Sequence, residues 1–148
     1  MKFVVDFMLG RLCRWLRLLG YDAVYCREKE NIITTSLRET RIVLTRNQKL
    51  SRRKSYRLIL LASDSFREQL AQIIGTLNLA VDENKLFSRC VHCNAMVKPA
   101  KKDEVKGKVP PFIYDTHNDF SVCPVCQRIY WKGSHWNLMK RDLERIVQ

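Results

Sequence analysis

Two Cys-x-x-C pairs, Cys90-Val-His-Cys93 and Cys123-Pro-Val-Cys126, constrain this chain more than any other feature. Paired spacing of this kind points to metal rather than to disulfides. Four thiolates are the number that closes a tetrahedral structural zinc site. A redox motif of the thioredoxin type needs one such pair at a strand–helix junction, not two distant ones. The 29 residues between the pairs exceed compact zinc-module spacings, so a hairpin arm of the zinc-ribbon kind is expected to fill the gap. The spacing therefore predicts one structural zinc on Cys90, Cys93, Cys123 and Cys126. A closed site leaves no position for substrate, so the metal would hold the chain in shape and position basic residues such as Arg89, Lys98 and Arg128. Cys13 and Cys26 stand alone.

The chain before the first pair has a different texture. Phe3 to Asp6 reads as a strand. Met8, Leu9, Leu12, Trp15, Leu16 and Leu19 then recur at three- and four-residue spacing, as one face of a helix does. Gly20 suits the stop. "DAVYC" and "RIVLT" read as strands, with a weaker helix in "NIITTSLRET" between them. "RNQKLSRRKS" is a basic connection, only about ten residues long and so short for a parallel crossover. "YRLILLAS" is an apolar run that predicts a strand buried on both faces. "SFREQLAQIIGTLNL" predicts a helix opened by a Ser65/Glu68 capping box. Alternating strands and helices imply an α/β fold with a mostly parallel sheet. The expected division is an α/β domain over residues 1–82, then a zinc ribbon with a C-terminal helix over 83–148. Within the second part, "KPAKKDEVKGKVPP" is expected as hairpin and loop, "QRIYW" as a short strand and "NLMKRDLERIVQ" as an amphipathic helix.

Charge narrows the partners. Residues 1–82 carry 15 Lys/Arg against 8 Asp/Glu, and residues 83–148 carry 12 against 7, so the net +12 is spread over both parts. A distributed basic surface fits a polyanion, most often nucleic acid. No segment approaches the roughly 18 consecutive apolar residues of a membrane span. Asp6 interrupts the N-terminal apolar stretch and no small-residue cleavage site follows, so no signal peptide is expected and the expected location is cytoplasmic.

Ligands of open parallel sheets sit outside the carboxyl ends of the strands. Asp6 ends the first predicted strand, Asn47 follows the third, Asp64 ends the fourth, and Asn31 begins the second helix beside Glu28 and Glu30. Oxygen ligands gathered there would suit magnesium or manganese. Asp6 has a plainer reading as a helix cap. Arg11, Arg14 and Arg17, and a second group of Arg46, Lys49, Arg52, Arg53, Lys54 and Arg57, read either as phosphate-positioning residues or as solvated faces. His92 is expected as a spacer and His117 has no evident partner. His135 either packs or contacts nucleic acid.

"DFMLGRLCRWLRLLGYDAVY", "RIVLTRN", "SFREQL", "RCVHCN" and "CPVCQRIYWKGSH", in that order, resemble the Mut-seven C-terminal ribonuclease domain family over about residues 3 to 139. Members are similar to PIN-like nucleases with an appended zinc ribbon. The resemblance implies a PIN-like α/β domain, RNA as substrate and metal-dependent endoribonuclease activity, with Asp6 as the first acidic residue. The family usually reads "LTRD" where this chain has "LTRN", and an acidic position near the start of the second helix is Asn31 here. Two lost charges imply weakened divalent-ion binding, with Glu28 or Glu30 able to substitute for one. The alternatives are a non-catalytic RNA-binding or ribonucleoprotein-docking module, and a protein-interaction adaptor built on the ribbon.

Overall fold

The structure, a computed structural model, describes residues 1–27 and 29–148, with only the backbone of Lys29 and Glu30. Its first part is a four-stranded parallel sheet in the order β2-β1-β3-β4, with β1 at Lys2–Asp6, β2 at Asp22–Cys26, β3 at Ile42–Thr45 and β4 at Arg57–Leu60. The helices are α1 (Gly10–Leu18), α2 (Lys29–Glu39), α3 (Gln48–Ser51) and α4 (Phe66–Leu77). A short 3-10 turn at Phe7–Leu9 precedes α1 and leaves Met8 exposed.

Strands covered on both faces carry near-continuous apolar runs, and Phe3–Val5 of β1 and Ile42–Leu44 of β3 follow that rule. Phe3 and Val5 pack with Leu12, Leu16, Leu70 and Ile73 of α1 and α4. Val4 and Val43 point the other way, against Ile32, Ile33 and Leu50 of α2 and α3. The expected fourth strand departs from this pattern. β4 is at the sheet's edge, and Arg57 and Leu60 are exposed while Ile59 is buried. Its apolar run continues to Leu61, which is buried beyond the strand. The short β3–β4 connection is a parallel crossover all the same, carried by the single turn of α3.

Helix α1 ends in a Schellman motif: Gly20 N donates to Arg17 O, and Tyr21 N donates to Leu16 O. Gly20 has φ +89°, and a Cβ there would lie 2.6 Å from Lys85 O, so no other residue fits. The expected capping box does not form. Ser65 is the N-cap of α4 but makes no side-chain cap bond, and its own amide donates to Ser63 Oγ.

The second part is a three-stranded antiparallel sheet of β5 (Lys98–Ala100), β6 (Phe120–Val122) and β7 (Ile129–Tyr130), in that order. The segment expected as hairpin and loop contains two short helices instead, α5 (Lys102–Val105) and α6 (Pro111–Thr116). Pro111 at the first helical position is the signal that marks α6. These helices place Val105 and Val109 over Phe120 as a small core. The chain then returns as α7 (Ser134–Val147). Leu143 is buried in the α/β core, with Met139 and Ile146 packed against it, so that core draws on residues well beyond 82.

Candidate metal centre and nucleic-acid interface

The four paired cysteines, all in the second part of the chain, meet in one cluster. Their sulfurs lie within 4.8 Å of one another. An ideal tetrahedron with a metal–sulfur bond of about 2.3 Å has sulfurs about 3.8 Å apart, and the Cys90–Cys126 pair is at 3.6 Å. The donor set therefore fits a tetrahedral ion such as zinc. The two knuckles repeat one design. Asn94 N donates to Cys90 O and Gln127 N to Cys123 O, and both Asn94 and Gln127 have positive φ.

The chemistry of the sulfurs is uneven. Burial would raise the Cys90 thiol, but hydrogen bonds from the Tyr130 hydroxyl, the Cys93 and His92 amides and Cys126 bring it down to about 7. Cys93 goes the other way, to about 12, through its hydrogen bond with Cys126, desolvation and the neighbouring sulfurs. Four sulfurs this close repel one another when ionised, and a divalent ion removes that repulsion.

Arg17 joins the two parts. It was expected beside Arg11 and Arg14 as a phosphate contact, and the structure buries it. Its Nε donates to Ala23 O at 2.8 Å, and Nη1 donates to Val91 O at 2.8 Å and to His92 O at 3.2 Å. Asn94 completes the joint, accepting from Ala23 N and donating to Asp22 Oδ1. Ala23 lies on β2, an edge strand; its N–H donates to Asn94 of the first knuckle and its carbonyl accepts from Arg17 of α1. The ribbon thus covers an edge that would otherwise invite pairing with other chains. His92, expected as a spacer, lends its carbonyl to this joint. Cys13 is buried beside it, which pushes its thiol up to about 11.

At the carboxyl edge of the sheet, Asp6 is 1% exposed. Its Oδ1 accepts from Phe7 N at 2.8 Å and its Oδ2 from Thr45 Oγ1 at 2.7 Å. The capping role weighed for Asp6 is thus one of the two bonds it makes. Thr45 Oγ1 also accepts from Asn47 N, while Asn47 Oδ1 caps α3 through Lys49 N. Asn31 is exposed in the first turn of α2. Asp64 does not end β4. It lies four residues past Leu60, in a cleft with Met8, Arg11, Phe66 and Arg67. Glu28 and the side chain of Glu30 lie outside the described residues. Among the described residues, the cysteine quartet is where three or more Cys, His, Asp or Glu side chains come together.

Arg11 and Arg14 are exposed and line two further clefts. Arg11 also stacks over the Phe66 ring at 4.0 Å. Arg46, Lys49, Arg52, Arg53, Lys54 and Arg57 are exposed too. They belong to the β3–β4 connection and the start of β4, and α3 covers the face opposite α1. The two basic groups therefore flank different faces of the sheet, and both α1 and α3 begin at its carboxyl edge. Sequence reasoning missed the aromatic neighbours of Arg14, chiefly Phe112 and Trp131. Phe112 sits on α6, which was not expected, while Trp131 directly follows β7. His117, without an evident partner in the sequence, contacts Thr116 Oγ1 through Nδ1 and Lys132 O through Nε2.

No described helix is long and apolar enough to cross a membrane. No curated protein and no solved structure matches the chain. The Mut7-C RNAse domain family matches residues 1–143. With nearly the whole length matched, a parallel α/β sheet, and a cysteine quartet set for a metal, the chain belongs to the Mut7-C RNAse domain family.

Proposed function

We propose that this chain binds RNA through the basic surface around α1 and the carboxyl edge of its sheet, with a structural zinc on the four cysteines, and that it does not cleave RNA efficiently. The family supports RNA as the ligand. The net charge of +12 and the exposed Arg11, Arg14, Arg46, Lys49, Arg52 and Arg53 supply the electrostatics.

The observation that carries binding over cleavage is the state of Asp6. A catalytic divalent ion needs several anionic oxygens facing a common point. Asp6 is buried, both its oxygens already accept hydrogen bonds, and its neighbour across the strand end is the neutral Asn47, engaged as a helix cap. The described residues at this edge do not fit a magnesium or manganese centre.

The second reading is metal-dependent endoribonuclease activity with magnesium or manganese at Asp6. It is favoured by the ribonuclease family and by the place of Asp6 at the end of a central parallel strand. Single-turnover incubation of the zinc-loaded protein with a labelled unstructured RNA in manganese separates the two readings. Binding with no cleavage above background is expected. Manganese-dependent cleavage abolished by Asp6→Asn would establish the second reading instead.

A further inference from the structure

Between α1 and the ribbon runs a groove of about 920 Å³. Arg11 and Arg14 stand on its α1 side, Phe112 on α6, and Trp131 and Lys132 on the segment after β7. Among the described residues, no Asp or Glu lines it. Phe112 is 72% exposed, so it contributes little to burying a core. Gly133, Ser134 and His135 also line the groove, at the start of the 14-residue helix α7. Gly133 is the N-cap and makes no side-chain cap bond, so the positive end of that helix also faces this region.

Three cations, several aromatic side chains and no described carboxylate make a surface for an anion that also carries flat apolar faces. Unpaired nucleotides have that chemistry, since phosphates attract the cations and free bases stack on aromatic rings. A duplex keeps its bases stacked inside and cannot use the rings. We infer that this groove holds an unpaired segment of RNA, with phosphates against Arg11, Arg14 and Lys132 and bases against Phe112 and Trp131. The inference rests on the RNA-binding reading above and adds the surface and the form of RNA. It also gives the ribbon a direct part in recognition, because Phe112, Trp131 and Lys132 all lie in it.

The test uses the full zinc-loaded chain and its Phe112→Ala, Phe112→Trp and Lys132→Glu variants, with zinc content and circular dichroism checked for each. The probes are a short labelled oligouridylate, a duplex RNA of equal length and a polyglutamate competitor. Phe112→Ala is expected to weaken oligouridylate binding about tenfold at an unchanged salt slope, and Phe112→Trp to restore it. Lys132→Glu is expected to weaken binding and make the salt slope shallower by about 0.7, the share of one phosphate on a single strand. Duplex binding should be indifferent to Phe112, and polyglutamate should not displace the oligouridylate. If the parent binds oligouridylate and neither Phe112→Ala nor Lys132→Glu changes its affinity, the groove assignment is overturned while RNA binding stands. Equal competition by polyglutamate would overturn it in favour of an acidic peptide. If the parent binds no RNA at all, the RNA-binding reading itself falls.

Discussion

Asp6 and Asn47 are joined through one hydroxyl: Thr45 Oγ1 donates to the Asp6 carboxylate at 2.7 Å and accepts the Asn47 amide at 3.0 Å. The side chain of Asn47 meanwhile caps α3. Aspartate caps a helix as well as asparagine does, so Asn47→Asp should leave the fold intact. It would add a second negative charge at the strand end that already holds Asp6. Asn47→Asp is therefore expected to bind manganese more tightly than the parent, read as a larger rise in Tm on adding the ion. Adding Asp6→Asn should cancel that rise. Equal manganese shifts in all three proteins would show that this edge does not gather cations even with its charge restored.

Arg17 makes a prediction of the opposite kind, about stability and not RNA. Its guanidinium bonds Ala23, Val91 and His92 carbonyls in a buried place. Hydrogen bonds from a charged donor are worth about 1.5–3 kcal/mol each, and orphaned carbonyls add to the loss. Arg17→Met should cost about 3 kcal/mol, a fall in Tm of about 6–12 °C for a chain of this size. Arg14→Met, on an exposed site of the same helix, should shift Tm by far less. Equal losses for the two would show that the joint between knuckle and sheet contributes little.

The ribbon's own core is small, with Val105, Val109 and Phe120 as its buried residues among those described. Modules of that size depend on a metal to stay folded. Structural zinc binds with an apparent free energy on the order of 10–16 kcal/mol, most of it coupled to folding. Cys123→Ser, or chelation of the parent, is expected to release one zinc and unfold the ribbon while the α/β sheet persists. Elemental analysis counts the metal. Fluorescence separates the parts, because Trp131 and Trp136 lie in the second part and Trp15 is buried in the first. Protein purified without chelator and free of zinc would contradict the assignment.

Asp22 gives a pH dependence. Burial alone would raise its carboxyl, but Arg41 at 2.7 Å and Asn94 at 2.7 Å hold it below the usual carboxylate range. A carboxyl lowered by folding contributes stability above its unfolded value, about 3.9, and loses it as pH falls through the lower folded value. The parent should therefore lose stability on acidification below about pH 4, and Asp22→Asn should show a shallower acid limb. Superimposable acid limbs would mean that the Asp22–Arg41 pair is not linked to folding.

Much of this was legible in the sequence, for identifiable reasons. The cysteine spacing alone predicts the metal cluster, since thiols that pair so regularly have few other uses. The apolar runs of β1 and β3 and the period of α1 follow directly from packing on both faces of a parallel sheet. Arg17 could not be read. Its three-residue spacing from Arg14 suggests a shared solvent face, and its burial depends on carbonyls more than 70 positions away. β4 was misread because an apolar run does not reveal that the sheet stops there. Asp64 was placed at a strand end for the same reason, as β4 closes at Leu60. The groove around Phe112 was hidden because it is built from α1, α6 and the chain after β7, which only the folded zinc ribbon brings together.

The central claim is that this protein binds RNA through its positive surface, and the salt dependence of that binding tests it most directly. Neutralising about six phosphates of a single strand makes log affinity fall against log salt with a slope near −0.7 per phosphate, about −4 in all. Titrating a labelled unstructured RNA with the zinc-loaded chain across a range of salt concentrations should give a straight line close to that slope, shallower for Arg14→Glu. Affinity that does not change between low and physiological salt would contradict the account.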